Sequence, residues 1–153
     1  MKSLRRKDRE INSQEAIELL NSAEYGVLST VDEDNQPYGV PLNFVYKNKH
    51  IYFHCALSGQ KLDNIENNAK VSLCIVGNTK VLPAEFSTEY ASVMAFGVAS
   101  EVEGAERRNA LLWMIEKYSP AFIEEGKLYI AQMEKATKVF KIEINHISGK
   151  AQR

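Results

Sequence analysis

The sequence is poor in the residues that build disulfide scaffolds and metal clusters. Of its 153 residues only two are cysteine, Cys55 and Cys74, and three are histidine. Two thiols are too few for a disulfide framework, and left free they point to a reducing, cytoplasmic setting. No apolar run approaches the ~20 residues of a membrane-spanning helix. The opening stretch, MKSLRRKDREI, is basic with no apolar segment behind it, unlike a secretory signal. Nineteen Lys and Arg stand against twenty Asp and Glu, a net charge of -1, so no one-signed field exists to gather nucleic acid or an anionic membrane. Also missing are a G-x-S-x-G elbow, a G-x-G-x-x-G turn and a Walker loop, which removes the anchors of a hydrolase, a dinucleotide fold and a nucleoside triphosphatase.

What is present reads as one domain over residues 1–153, with a basic N-terminal arm (1–10) and a C-terminal tail (148–153). Asn12 and Glu15 have capping-box spacing, and Ile11 and Ala16 sit where a hydrophobic staple closes, so a helix is predicted to about Ala23. After Gly26 the apolar period falls to 2, which predicts strands over 27–31, 38–46 and 51–55. Their short connections predict an antiparallel meander. A short helix from Lys61, a strand over 71–76 and a long strand over about 90–102 follow. Helices over 105–118 and about 127–135 then precede a last strand in which Phe140, Ile142, Ile144 and His146 share a face. Six strands with helical insertions predict a mainly β chain, a small antiparallel barrel with peripheral helices. On the long strand, Val93, Ala95, Gly97 and Ala99 form a face of small residues that lets another backbone, a subunit or a flat ligand come close.

Candidate chemistry is sparse. His50 and His54 are four apart, but on a strand that is ~13 Å at ~3.3 Å per residue, too far to share an ion. No metal site is predicted. The segment His54-Cys55-Ala56-Leu57-Ser58-Gly59-Gln60-Lys61 ends a strand, turns at a glycine and opens a helix with a lysine. Helix starts carry unpaired N–H groups and a partial positive charge, which suits a phosphate. A lysine there opposes the dipole unless an anion joins it; the bland alternative is a solvated Lys61 and a His54 that closes a barrel end. In Val40-Pro41-Leu42-Asn43-Phe44, Pro41 removes a ladder donor, so this strand belongs at an edge, either guarded against aggregation or open to a ligand.

Several of these stretches occur together in a known family. Arg5-Arg6-Lys7-Asp8-Arg9-Glu10-Ile11 resembles the R-R-x-D-R-E-I opening of the nitroimidazole-resistance (Nim) family. Tyr38-Gly39-Val40-Pro41-Leu42-Asn43-Phe44 is similar to its P-Y-x-V-P-L-N-F strand, and Ile51 to Ala56 with Gly59 and Lys61 to its I-Y-F-H-x-A-x-x-G-x-K segment. Tyr90, Ser92, Val93 and Gly97 resemble its Y-x-S-V-x-x-x-G strand. That family belongs to the pyridoxamine 5'-phosphate oxidase-like flavoproteins, so the resemblance implies a homodimeric split β-barrel with FMN at the subunit interface. It implies that His54, Ala56, Ser58, Gly59 and Lys61 surround the phosphate and ribityl side, and that Pro41, Leu42, Asn43 and Phe44 run along the ring. Tyr90 and Ser92 approach from a neighbouring strand, and His54 and Tyr90 are the polar residues nearest any chemistry.

The S-R-K phosphate loop and C-terminal arginine motif of the vitamin oxidases are missing. Ser58-Gly59-Gln60-Lys61 and Ile147-Ser148-Gly149-Lys150 stand in their place. The expected function is therefore FMN-dependent electron transfer to a small acceptor such as a nitroimidazole, rather than oxidation of pyridoxamine phosphate. The alternative is a flavin- or haem-binding module that stores or senses its ligand.

Overall fold

A computed structural model describes residues 1–153. The Asn12 side chain accepts from the Glu15 N–H at 2.8 Å and caps α1 (Ser13–Ser22). Only half of the predicted capping box forms, because the Glu15 carboxylate turns to Arg153 instead. Ala16 and Leu20 of α1 face the core.

Two hairpins follow. In the first, β1 (Gly26–Val31) pairs with β2 (Pro37–Leu42) across a turn in which Asp32 Oδ1 accepts from the N–H groups of Asp34 and Gln36. In the second, β3 (Val45–Lys47) pairs with β4 (His50–Cys55) through Asn48 and Lys49, both left-handed as a tight hairpin turn demands. The predicted strand over 38–46 is thus broken at Asn43 and Phe44, and the expected meander is two separate hairpins.

Side chains hold the break open. Asn43 Nδ2 donates to Glu24 O at 2.9 Å. The Tyr118 hydroxyl accepts from Phe44 N–H at 3.1 Å and lies 3.0 Å from Phe44 O and 2.7 Å from Glu24 O. Lys117 Nζ donates to Phe44 O at 2.9 Å and sits 4.0 Å above the Phe44 ring. Both backbone groups of Phe44 thereby find side-chain partners away from the ladder.

The remaining elements are α2 (Gln60–Asn67), β5 (Lys70–Val76), β6 (Lys80–Leu82), β7 (Ser87–Val102), α3 (Gly104–Tyr118), α4 (Ile123–Met133) and β8 (Lys138–Gln152). The main sheet runs β2-β1-β5-β7-β8-β4-β3, with β6 on β7 alone, and every pairing is antiparallel. There are eight strands, not six: the break at Asn43–Phe44 adds one and β6 the other. β2 and β3, consecutive in the chain, therefore end the path at opposite edges, and the sheet curls between them into a split barrel. Inside it lie Leu28, Phe44, Ile51, Phe53, Leu73, Ile75, Val93, Ala95 and Ile142, with Leu20 of α1 across one end. A second cluster of Val45, Tyr52, Val102, Leu111, Met114 and Val139 packs α3 on the outside of the wall.

Two expectations about faces change. The small residues of β7 point inward: Val93, Ala95, Gly97 and Ala99 are all buried. A Cβ at Gly97 would come within 2.1 Å of Glu143 O, so the small face admits β8 and not a partner chain. The outward face carries Met94 and Val98, each 38% exposed.

β8 also extends through the expected tail to Gln152, and its register with β7 slips where Phe96 opposes His146 but Gly97 opposes Ile144. Asn145 is the extra residue of this bulge, and beyond it the alternation is inverted. His146 thereby leaves the face of Phe140 and Ile142 and turns outward beside Phe96, with ring centroids 5.9 Å apart.

Candidate functional site

The turn after β4 leads directly into a helix start. Gly59 is the N-cap of α2, with φ at +147°, a conformation essentially closed to residues with a Cβ. No side chain caps the helix, and with Gly59 at the cap Lys61 is the second residue of α2. The first-turn N–H groups of α2 thus have no side-chain acceptor. No carboxylate lies within 4.0 Å of Lys61 Nζ, which rests 5.9 Å from the Phe53 ring. α2 is fixed from below, since Gln60 Nε2 donates to Asn64 Oδ1 at 2.6 Å and buried Asn64 Nδ2 donates to Thr30 Oγ1 at 3.0 Å. Ala56, Leu57 and Ser58 form the exposed outer side of the turn.

His54 leaves β4 on the face opposite Phe53. It borders a narrow cleft of about 110 Å³ whose other walls are mostly apolar side chains of α3 and α4, among them Leu111, Met114, Tyr129 and Met133. Burial, and next the charge of Lys61, hold its imidazole below the ordinary histidine range. At neutral pH His54 is a neutral donor and acceptor beside a cation.

The second group lies along β2, which is an edge strand as Pro41 requires. Pro41 and Asn43 are exposed and Leu42 is half-buried against the core. Phe44 is fully buried, with its N–H and carbonyl both taken by Tyr118 and Lys117, so it braces the segment without presenting a free edge. Lys117 is pushed down to about 8 by burial.

The third group, Tyr90 and Ser92, lies near the start of β7. Both border a depression of about 340 Å³ with Leu4, Cys74, Val76 and Lys150. Pro41 pairs with Val27, Val27 with Cys74 and Cys74 with Met94, so β2 and this depression share one outward sheet face. His54 is elsewhere: it pairs with Val139, which pairs with Val102 at the far end of β7. At ~3.3 Å per residue, the strand path from Ser92 to Val102 is about 33 Å long. One chain therefore does not bring the Gly59–Lys61 turn to Tyr90 and Ser92.

Sequence reasoning missed Leu4 and Lys150 because it treated both ends as an arm and a tail. The alternation of Ile147, Gly149 and Ala151 against Ser148 and Lys150 was the available signal, hidden by the phase change at Asn145. No three His, Cys, Asp or Glu side chains converge as metal ligands, and no helix is long and apolar enough to cross a membrane.

Comparison with known proteins places the fold. A search among curated proteins finds no match. Among solved structures, the chain is similar to a candidate 5-nitroimidazole antibiotic resistance protein from Bacteroides thetaiotaomicron, at 23% identity over 93% of this chain and 86% of the other, with a TM-score of 0.75. It is similar to a flavocytochrome from Azotobacter vinelandii (17% identity, 99% and 72% covered, TM-score 0.83). It also resembles an FAD- and haem-binding protein from Mycobacterium smegmatis (18% identity, 95% and 74% covered, TM-score 0.80). A family model described as pyridoxamine 5'-phosphate oxidase matches residues 12–151, nearly the whole chain. The chain belongs to the pyridoxamine 5'-phosphate oxidase family.

Proposed function

We propose that this protein is a homodimeric FMN-binding oxidoreductase that passes electrons to a small acceptor, with nitroimidazoles and related nitro compounds as the candidate class. The observation that carries the reading is the uncapped start of α2 beside Lys61, a cation with no acidic partner, next to a glycine in a conformation other residues avoid. This donor set suits a phosphate monoester, because N–H groups and an ammonium offer charge-assisted hydrogen bonds to its oxygens. Ser58, Ala56 and His54 would flank the ribityl chain. Pro41 and Leu42 of β2, with Asn43 just beyond it, would face the ring, and Tyr90 and Ser92 would contact it from the partner chain. A site shared between two copies is supported by the strand path of about 33 Å that lies between its halves.

FMN, when bound, supplies the redox chemistry. The protein's own contributions are orientation and control of protons and water. Lys61 and the α2 N–H groups hold the anionic end, and Pro41 leaves β2 unable to pair with another strand there. His54, neutral at pH 7, can accept or give a hydrogen bond at its ring nitrogens without adding charge. Tyr90 offers a phenolic O–H at the other half of the site.

The test is spectroscopic. Purified protein titrated with FMN is expected to quench the flavin's fluorescence, and Lys61→Ala is expected to weaken the affinity about tenfold or more. Unchanged affinity in Lys61→Ala removes the phosphate assignment. Bleaching of the bound flavin by NADH or NADPH, with reoxidation by a nitroimidazole, is the expected turnover. The structural likeness to a flavocytochrome and to an FAD- and haem-binding protein supports a second reading, a flavin- or haem-binding module without turnover. Retained flavin with no bleaching by either donor would favour it.

A further inference from the structure

Residues 1–10 bury no side chain, yet the arm they form is anchored at several points around Ile11 of the core. Ile11 N–H donates to Gly149 O at 3.0 Å, and Glu10 bridges to Lys150. The Ile11 side chain seats on Gly149, where a Cβ would come within 2.7 Å of it. Upstream, Lys7–Arg9 form a single tight turn with no buried residue. Arg6 is locked across that turn to Asp8 by two hydrogen bonds of 2.8 and 2.6 Å. This geometry carries the chain back over the outward face of β7 and β8. There Leu4, half-buried, joins Tyr90, Ser92, Cys74, Val76 and Lys150 around the depression of about 340 Å³. No carboxylate lies within 4.0 Å of Lys150 Nζ. The depression therefore combines an apolar floor, the hydroxyl groups of Tyr90, Ser92 and Ser148, and an unneutralised ammonium.

We propose that the arm is a structural part of the ligand site, with Leu4 as the wall that turns an open sheet face into a pocket for a flat ring bearing hydrogen-bond acceptors. The ring's identity as that of FMN rests on the function proposed above. The role of Leu4 does not: an apolar side chain that walls the depression Cys74 lines limits what reaches that sulfur, whichever ligand the pocket takes.

Cys74 is the natural reporter, and Cys55, on the far side of the molecule, is its internal control. Iodoacetamide labelling at fixed pH, read for each cysteine by peptide mass spectrometry, is expected to speed up at Cys74 about fivefold in Leu4→Asp, as loss of an apolar contact implies. Cys55 is expected to label at the original rate, and Leu4→Met to behave as the parent protein. Excess FMN is expected to protect Cys74 in the parent and to bind Leu4→Asp several-fold more weakly. Sedimentation of both proteins at the labelling concentration accompanies the measurement.

An unchanged Cys74 rate in Leu4→Asp overturns the proposal, as does a rate that rises only because the dimer has dissociated. Faster Cys74 labelling in Leu4→Asp, with no protection by FMN in the parent, supports the arm's role and removes the flavin reading instead.

Discussion

His54 is held in its neutral form by its surroundings, burial first and Lys61 second. A histidine whose folded pKa lies below its unfolded value takes up fewer protons than the unfolded chain in the window between the two. Its contribution to stability is therefore present above about 6.5 and is lost as pH falls through the folded pKa. A phosphate at the Gly59–Lys61 turn would offset the Lys61 charge and reverse part of this shift. NMR titration of the imidazole ring protons is expected to place His54 below the ordinary histidine value in the free protein and to move it upward with FMN. A titration indifferent to FMN would separate His54 from the phosphate. The motif His54-Cys55-Ala56 with Gly59 and Lys61 was legible in the sequence because its chemistry is local: a strand end, a glycine and a cation within eight residues. The identity of the helix cap was not, because whether Ser58 or Gly59 ends the turn depends on backbone angles that composition does not encode.

At the scale of elements, the telling feature is the interruption of a strand whose sequence alternates without a flaw. Tyr38, Val40, Leu42, Phe44 and Tyr46 read as one ladder, and nothing local contradicts that. The interruption is imposed by Tyr118, 74 residues further on, whose hydroxyl takes the Phe44 N–H and lies against the carbonyls of Phe44 and Glu24. Tyr118→Phe leaves the ring and removes the hydroxyl, stranding part-buried backbone groups. It is expected to destabilise the fold by about 1–3 kcal/mol, read as a lower urea midpoint with an unchanged m-value. A loss within error would mean that Lys117 and water suffice to hold the break. The Asn12 cap of α1, the edge position of β2 and the antiparallel sheet followed from residues close in sequence. The division of 38–46, the existence of β6 and the second half of β8 did not, since each is decided by pairing with β7 or by a side chain from α3.

For the whole molecule, the distance along β7 is decisive. Tyr90 and Ser92 lie at one end of β7 and the His54–Lys61 segment lies beside the other, so the proposed shared site needs two copies to reunite them. The sequence offered the small face of β7 as a place of close approach, but that face is buried in the barrel core, and the exposed apolar side chains Val27, Val76 and Met94 lie on the outward face. The shared-site arrangement has a direct genetic signature. Lys61→Ala damages one half and Ser92→Trp obstructs the other, so each homodimer is expected to lose FMN. Unfolded together and refolded, the two variants are expected to regain binding at about a quarter of the sites, the yield of intact composite sites under random pairing. No recovery would place the whole site within one chain.

The bulge at Asn145 sets which end of β8 speaks to solvent. Removing that single residue would leave the sequence otherwise intact while reversing every side chain from His146 onward. Ile147 and Ala151 would swing out to water, and Ser148 and Lys150 would be driven among Leu73, Ile75 and Val93. Gly149 would no longer lie beneath Ile11, so the arm would lose its seat in the same stroke. One amide-bearing residue thus sets the phase that lets the two ends of the chain meet.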